Sequence, residues 1–265
     1  MESQVVTTAF LLTLFAGLST GIGSLISLIA KRTNTNFLSI ALGLSAGVMI
    51  YVSFMEMLPS SLNMLTETFG EKRANLYTFL ALFGGIAFIA LIDLLVPKSS
   101  NPHEMHGVEE MKRDTQRLRH TGIITALTIG IHNFPEGIAT FMTAVNSLEV
   151  AIPITVAIAI HNIPEGIAVA VPIYHATGSR KKAFWLSFSS GLAEPIGAII
   201  AYFFLIRFWN PVLDALILAI IAGVMIYISL DELLPSAEKY GKHHLSIIGL
   251  VTGMVIMAIS LYLFI

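Results

Sequence analysis

Two six-residue segments of this chain share one pattern, His-Asn-x-Pro-Glu-Gly, at His132–Gly137 and again at His161–Gly166. On a helix, His132 and Glu136 stand four residues apart and Asn133 and Glu136 three apart, so an imidazole, an amide and a carboxylate share one face. His161, Asn162 and Glu165 repeat the set. Pro135 removes a backbone donor and frees the carbonyl of Ile131, and Pro164 stands at the same place in the second segment. Gly137 and Gly166 leave room for a close approach. Glu194, followed by Pro195, adds a third acid in another apolar stretch. Two imidazoles, two amide oxygens and three carboxylates can then converge. That nitrogen and oxygen set suits zinc, manganese, ferrous iron or cobalt, and contains nothing soft enough to select copper(I). There is no cysteine, which excludes thiolate ligands and disulfides. Helix bundles also use His and Asn as interhelical hydrogen-bonding groups. A lone His reads that way; a duplicated motif carrying Pro and Glu as well points to ligands.

The elements that must position these groups are apolar. Hydrophobic residues make up 55% of the 265 positions and charged residues 12%, where a soluble domain carries about 25% charged. Apolar runs of about 20 residues recur, enough to cross about 30 Å of hydrocarbon, and they lack the period-two alternation of an outer-membrane barrel. The expected fold is all-α integral membrane, with eight transmembrane helices at about 5–30, 37–60, 75–96, 121–146, 150–174, 182–207, 212–236 and 245–265 in one domain. The first run has no basic residues before it and reads as a span, not a cleavable leader. A polar connector at about 97–120 carries His103 and His106, which could bind or sense metal. Twelve of the fifteen Lys and Arg residues fall in the connectors after the first, third, fifth and seventh spans. The positive-inside rule then puts those connectors in the cytoplasm and both termini outside.

Ionisable groups inside a bilayer cost several kcal/mol each and need a reason. The acids noted within the expected spans are Glu56, Asp93, Glu136, Glu165, Glu194, Asp231 and Glu232, and the Lys and Arg residues within those bounds, Lys182 and Arg207, stand at span ends. Such acids must be protonated or matched by an outside cation, which implies a cation pathway. An interfacial position accounts for Glu56, Asp93, Asp231 and Glu232, but not for the mid-span Glu136, Glu165 and Glu194. The segment Ala46-Gly-Val-Met-Ile-Tyr51 recurs as Ala222-Gly-Val-Met-Ile-Tyr227, and the match continues through Glu56/Glu232, Pro59/Pro235 and Ser60/Ser236. The two copies lie an odd number of spans apart and so run in opposite directions, an inverted repeat of the kind found in secondary transporters. Met49 and Met225 match across the repeat; they read as packing residues, with weak pathway ligation as the sharper alternative.

At these residues the sequence resembles the ZIP (Zrt/Irt-like) family of metal transporters, over essentially the whole chain. The resemblance implies a 3+2+3 arrangement of spans with inverted outer triplets, and a binuclear site on spans four, five and six. Position by position it implies His132, Glu136 and Glu165 on one ion with His161 nearby, Asn133, Asn162 and Glu194 on a second, and Glu136 and Glu165 bridging. It further implies Asp93, Asp231 and Glu232 at the cytoplasmic exit, with Glu56 at the entrance and Met49 deeper. The expected function is uptake of zinc, together with iron, manganese, cobalt and cadmium, across the cell (inner) membrane by alternating access, in a homodimer. No cofactor is expected beyond the metal ions carried as substrate, and the partners are those ions and the lipid bilayer, not nucleic acid. No phosphate-binding loop is present, so ATP is not implied. A selective channel could use the same site. An intramembrane metallohydrolase is the weaker alternative, because neither motif has His-Glu-x-x-His spacing.

Overall fold

The structure is a computed structural model that describes residues 3–29, 35–95, 115–240 and 242–264. The described residues are helical apart from short turns. Helix α1 spans Ser3–Ile29 and α2 spans Thr35–Val52. A π-helical turn, Ser53–Met57, carries α2 directly into α3, Leu58–Phe69. Then come α4 (Glu71–Leu95), α5 (Thr115–Asn146), α6 (Leu148–Thr177), α7 (Arg180–Gly191) and α8 (Ala193–Ile200). A second π turn, Ala201–Leu205, ends α8. Helix α9 (Pro211–Ile228) passes through a third, Ser229–Leu233, into α10 (Leu234–Tyr240), and α11 spans His243–Phe264.

Proline explains two of these turns. Pro59 and Pro235 have no N–H and crowd the carbonyl four residues back. The helix widens there: Leu58 donates its N–H to the Ser53 carbonyl and Leu234 to that of Ser229, each spanning five residues. The chain stays helical to Phe69, beyond the expected span end near residue 60, because Leu62, Leu65 and Phe69 pack against Tyr77, Val212 and Leu216. It breaks at Gly70, whose φ of 75° suits glycine. Helix α5 likewise begins at Thr115, inside the stretch expected to be connector. His103 and His106 lie outside the described residues.

Among the described residues, seven stretches are long and apolar enough to cross a membrane. Helix α5 has the length, 32 residues, but is more polar, opening on Thr-Gln-Arg-Leu-Arg-His before it reaches its motif. The buried core lies between α2, α6 and α9, with Leu42, Met49, Ile154, Ile158, Leu218 and Met225 at its centre. Phe79, Phe83 and Leu91 of α4 and Ile248, Val255 and Ile259 of α11 are exposed, as lipid-facing side chains are. Helix α2 packs along α11 and α4 along α9. Gly47 and Gly223, matched in the repeat, permit both approaches: a Cβ would stand 2.0 Å from the Leu250 carbonyl oxygen and 2.1 Å from that of Leu82.

Candidate metal centre

Helices α5 and α6 stay helical through Pro135 and Pro164 and lie side by side, so their motifs face each other. The glycine closing each motif sets how closely the neighbours approach. A Cβ on Gly137 would stand 2.1 Å from the Glu194 carbonyl oxygen, and one on Gly166 2.1 Å from that of Thr20. Helix α7 stops at Gly191 and α8 restarts at Ala193. Pro195 has no N–H to donate to the carbonyl four residues back but is tolerated in a first turn. The break puts Glu194 in the first turn of α8, fully buried and facing both motifs.

All seven motif residues, His132, Asn133, Glu136, His161, Asn162, Glu165 and Glu194, are buried. His132 Nε2 lies 3.3 Å from Glu136 Oε1 and 3.7 Å from Glu165 Oε1. His161 Nε2 lies 3.4 Å from Glu136 Oε2. Asn162 donates through Nδ2 to the Ala16 carbonyl at 2.9 Å and to Glu194 Oε1. Asn133 donates to the Ser190 carbonyl at 3.5 Å. Each Asn therefore anchors its amide nitrogen on a neighbouring helix and leaves its oxygen uncommitted.

The uncommitted atoms define what the site can do. Both ring nitrogens of His132 and of His161, both oxygens of Glu136, one oxygen each of Glu165 and Glu194, and the amide oxygens of Asn133 and Asn162 have no hydrogen-bond partner among the described residues. A buried polar atom left so costs about 1–3 kcal/mol, and these crowd into one place. One ligand atom each from His132, His161 and Glu165 lie within 4.8 Å of one another. Ligands around zinc at about 2.0–2.2 Å stand up to about 4 Å apart, so a small inward movement brings these three onto one ion. Carboxylates outnumber the imidazoles here, so the cluster complements a divalent cation in charge as well as in geometry.

The pathway candidates divide. Glu232 is buried and lines a narrow cavity shared with His132 and Glu165, walled by Ile89, Ile129 and Leu233. Asp93, near the end of α4, and Asp231, in the π turn after α9, both lie near Tyr227. Glu56 is half-buried and accepts a hydrogen bond from Ser60 at 3.4 Å. Met49 and Met225 are fully buried in the apolar core cluster. One buried acid was overlooked in the sequence. Asp214, in the first turn of α9, accepts from Asn146 Nδ2 at 2.9 Å and Thr143 Oγ1 at 3.3 Å on α5. Its place near the start of an apolar run gives no hint of these partners.

Long apolar helices around a buried cluster of His, Asn and Glu define a polytopic membrane protein built to handle a divalent cation. The sequence matches the ZIP Zinc transporter family over residues 2–93 and 94–261. It is 57% identical over 263 residues to the zinc transporter ZupT of Streptococcus mutans, covering 99% of this chain and 100% of that protein. It is 54% identical over 273 residues to the zinc transporter ZupT of Clostridium perfringens, covering 97% and 96%. With the zinc transporter ZupT of Lysinibacillus sphaericus it shares 57% over 260 residues, covering 96% and 97%. The chain belongs to the ZIP family: it is a membrane transporter with zinc as its substrate, and not an enzyme.

Proposed function

We propose that this protein takes up zinc into the cytoplasm through the cluster on α5, α6 and α8, with His132, Glu136 and Glu165 holding one ion and His161 beside it. Asn133, Asn162 and Glu194 hold a second, and Glu136 and Glu165 bridge the two. The observation that carries this is the clustering of these residues, which hold ten buried nitrogen and oxygen atoms without a hydrogen-bond partner among the described residues. The same donors accept ferrous iron, manganese, cobalt and cadmium. Glu232 with Asp93 and Asp231 forms the cytoplasmic exit, which the cavity joining Glu232 to His132 and Glu165 supports. Glu56 stands at the outer entrance with Met49 deeper. His103 and His106, in the cytoplasmic connector, bind or sense metal.

Transport proceeds by alternating access. Helices α1, α5, α6, α7 and α8 pack around the site, while α2 pairs with α11 and α4 with α9. The first group moves against the second. The helices form a 3+2+3 arrangement of eight spans with inverted outer triplets. Matched π turns at Ser53–Met57 and Ser229–Leu233, each followed by Leu-Pro, support that symmetry. Both termini lie outside the inner membrane, and the protein works as a homodimer.

Radiotracer zinc uptake into proteoliposomes tests the proposal. Saturable uptake that collapses in Glu136→Ala and Glu165→Ala is the expected result. Flux rising in proportion to zinc without saturation would instead indicate a channel, and normal uptake by both variants would refute the site.

A further inference from the structure

Where α6 turns into α7 the surface opens into a cavity of about 570 Å³ that the transport mechanism does not use. Its lining joins Lys181 and Lys182, the polar Thr177 and Ser179, and the apolar Ile173, Trp185 and Leu186. The turn is well formed. Gly178 caps α6 with φ of 63°, and the Ser179 side chain accepts from the Lys182 N–H, closing the start of α7. The Ser179 cap takes up one of the free N–H groups at the start of α7, and the lysine side chains supply the charge that would meet an anion there. Arg180 lies over the Tyr174 ring, 5.9 Å from its centroid, adding a third cation at the rim. No carboxylate lines the cavity among the described residues.

We infer that this elbow binds the headgroup of one anionic phospholipid. The lining combines two lysines with Ile173, Trp185 and Leu186, so the cavity matches a molecule that carries both an anionic phosphate and an acyl chain. A free phosphate would leave the wall of Ile173, Trp185 and Leu186 unused. The height also fits: Trp185, one turn beyond Lys181 in α7, is 55% exposed, as indole rings near the bilayer interface are, and basic pockets at helix ends on the cytoplasmic side receive anionic headgroups. The volume is that of a small-molecule site. Because α6 also carries His161 and Glu165, the lipid holds the end of a site-bearing helix.

Native mass spectrometry of the full-length protein in detergent, titrated with phosphatidylglycerol and phosphatidylcholine, tests the inference. One phosphatidylglycerol is retained in preference to phosphatidylcholine. Lys181→Gln with Lys182→Gln lowers that retention about tenfold, whereas Lys181→Arg with Lys182→Arg, or Lys72→Gln with Arg73→Gln on α4, preserves it. Equal retention of the two lipids, or unchanged retention in the glutamine double variant, overturns the site. Displacement by millimolar inorganic phosphate overturns the lipid assignment in favour of a small-anion site. A second measurement leaves the lysines intact. In a Trp209→Phe background Trp185 is the remaining tryptophan, and brominated phosphatidylglycerol quenches its fluorescence beyond its share of the bilayer. Quenching equal to that by brominated phosphatidylcholine counts against the site.

Discussion

Nε2 of His161 on α6 stands 3.4 Å from Oε2 of Glu136 on α5. The other oxygen of Glu136 faces His132 at 3.3 Å, so one carboxylate sits between imidazoles from two helices. That position is the one a bridging ligand requires. Glu136→Gln keeps the shape but removes the charge and one acceptor. Zinc uptake into proteoliposomes falls at least about tenfold, while circular dichroism shows unchanged helix content.

Gly137 sets the distance between α5 and α8. A Cβ there meets the Glu194 carbonyl oxygen at 2.1 Å and its Cα at 2.5 Å, both backbone atoms that cannot turn aside. Gly137→Ala forces the helices apart and withdraws Glu194 from the site. Stability falls by about 1–3 kcal/mol, read as thermal unfolding in detergent, and zinc affinity by calorimetry falls with it. Gly84 has nothing within 4 Å of its Cβ position, so Gly84→Ala is neutral or slightly stabilising.

Asp214 ties α9 to the far end of α5 through Asn146 and Thr143. Asp214→Ala leaves both donors buried without an acceptor and lowers stability by about 1–3 kcal/mol. The contact lies two turns from Glu136, so zinc affinity in the folded fraction stays within about twofold of wild type. Paired melting and binding curves separate the two effects.

Glu232 shares a cavity with His132 and Glu165 but stands beyond them. Glu232→Ala slows release more than it weakens binding. Initial-rate uptake shows kcat lowered severalfold, with zinc affinity changed by less than about twofold.

The helical, membrane-embedded class was legible because long apolar runs admit little else, and the proximity of His132, Glu136, His161 and Glu165 because four-residue spacing puts a pair on one face. Glu194 was legible as an acid at mid-membrane depth without a basic partner. Other features depended on tertiary contacts. The helical course of α3 past Pro59 needs Tyr77, Val212 and Leu216 to pack against it. The break at Leu192 is foreshadowed by Pro195 alone. Nothing in the local sequence marks Asp214, because its partners sit about seventy positions away in the chain. The matched prolines carried information that spacing alone did not reveal, since each produces a π turn where helix geometry was expected to continue.

The proposed transport mechanism requires zinc to lie between α5, α6 and α8. Crystals of the full-length protein soaked in zinc, with diffraction collected on both sides of the zinc absorption edge, test this most directly. The predicted result is anomalous density about 2.0–2.2 Å from atoms of His132, Glu136 and Glu165, lost in the Glu136→Ala protein. Zinc density confined to surface histidines such as His243, with none at Glu136 and Glu165, would contradict it.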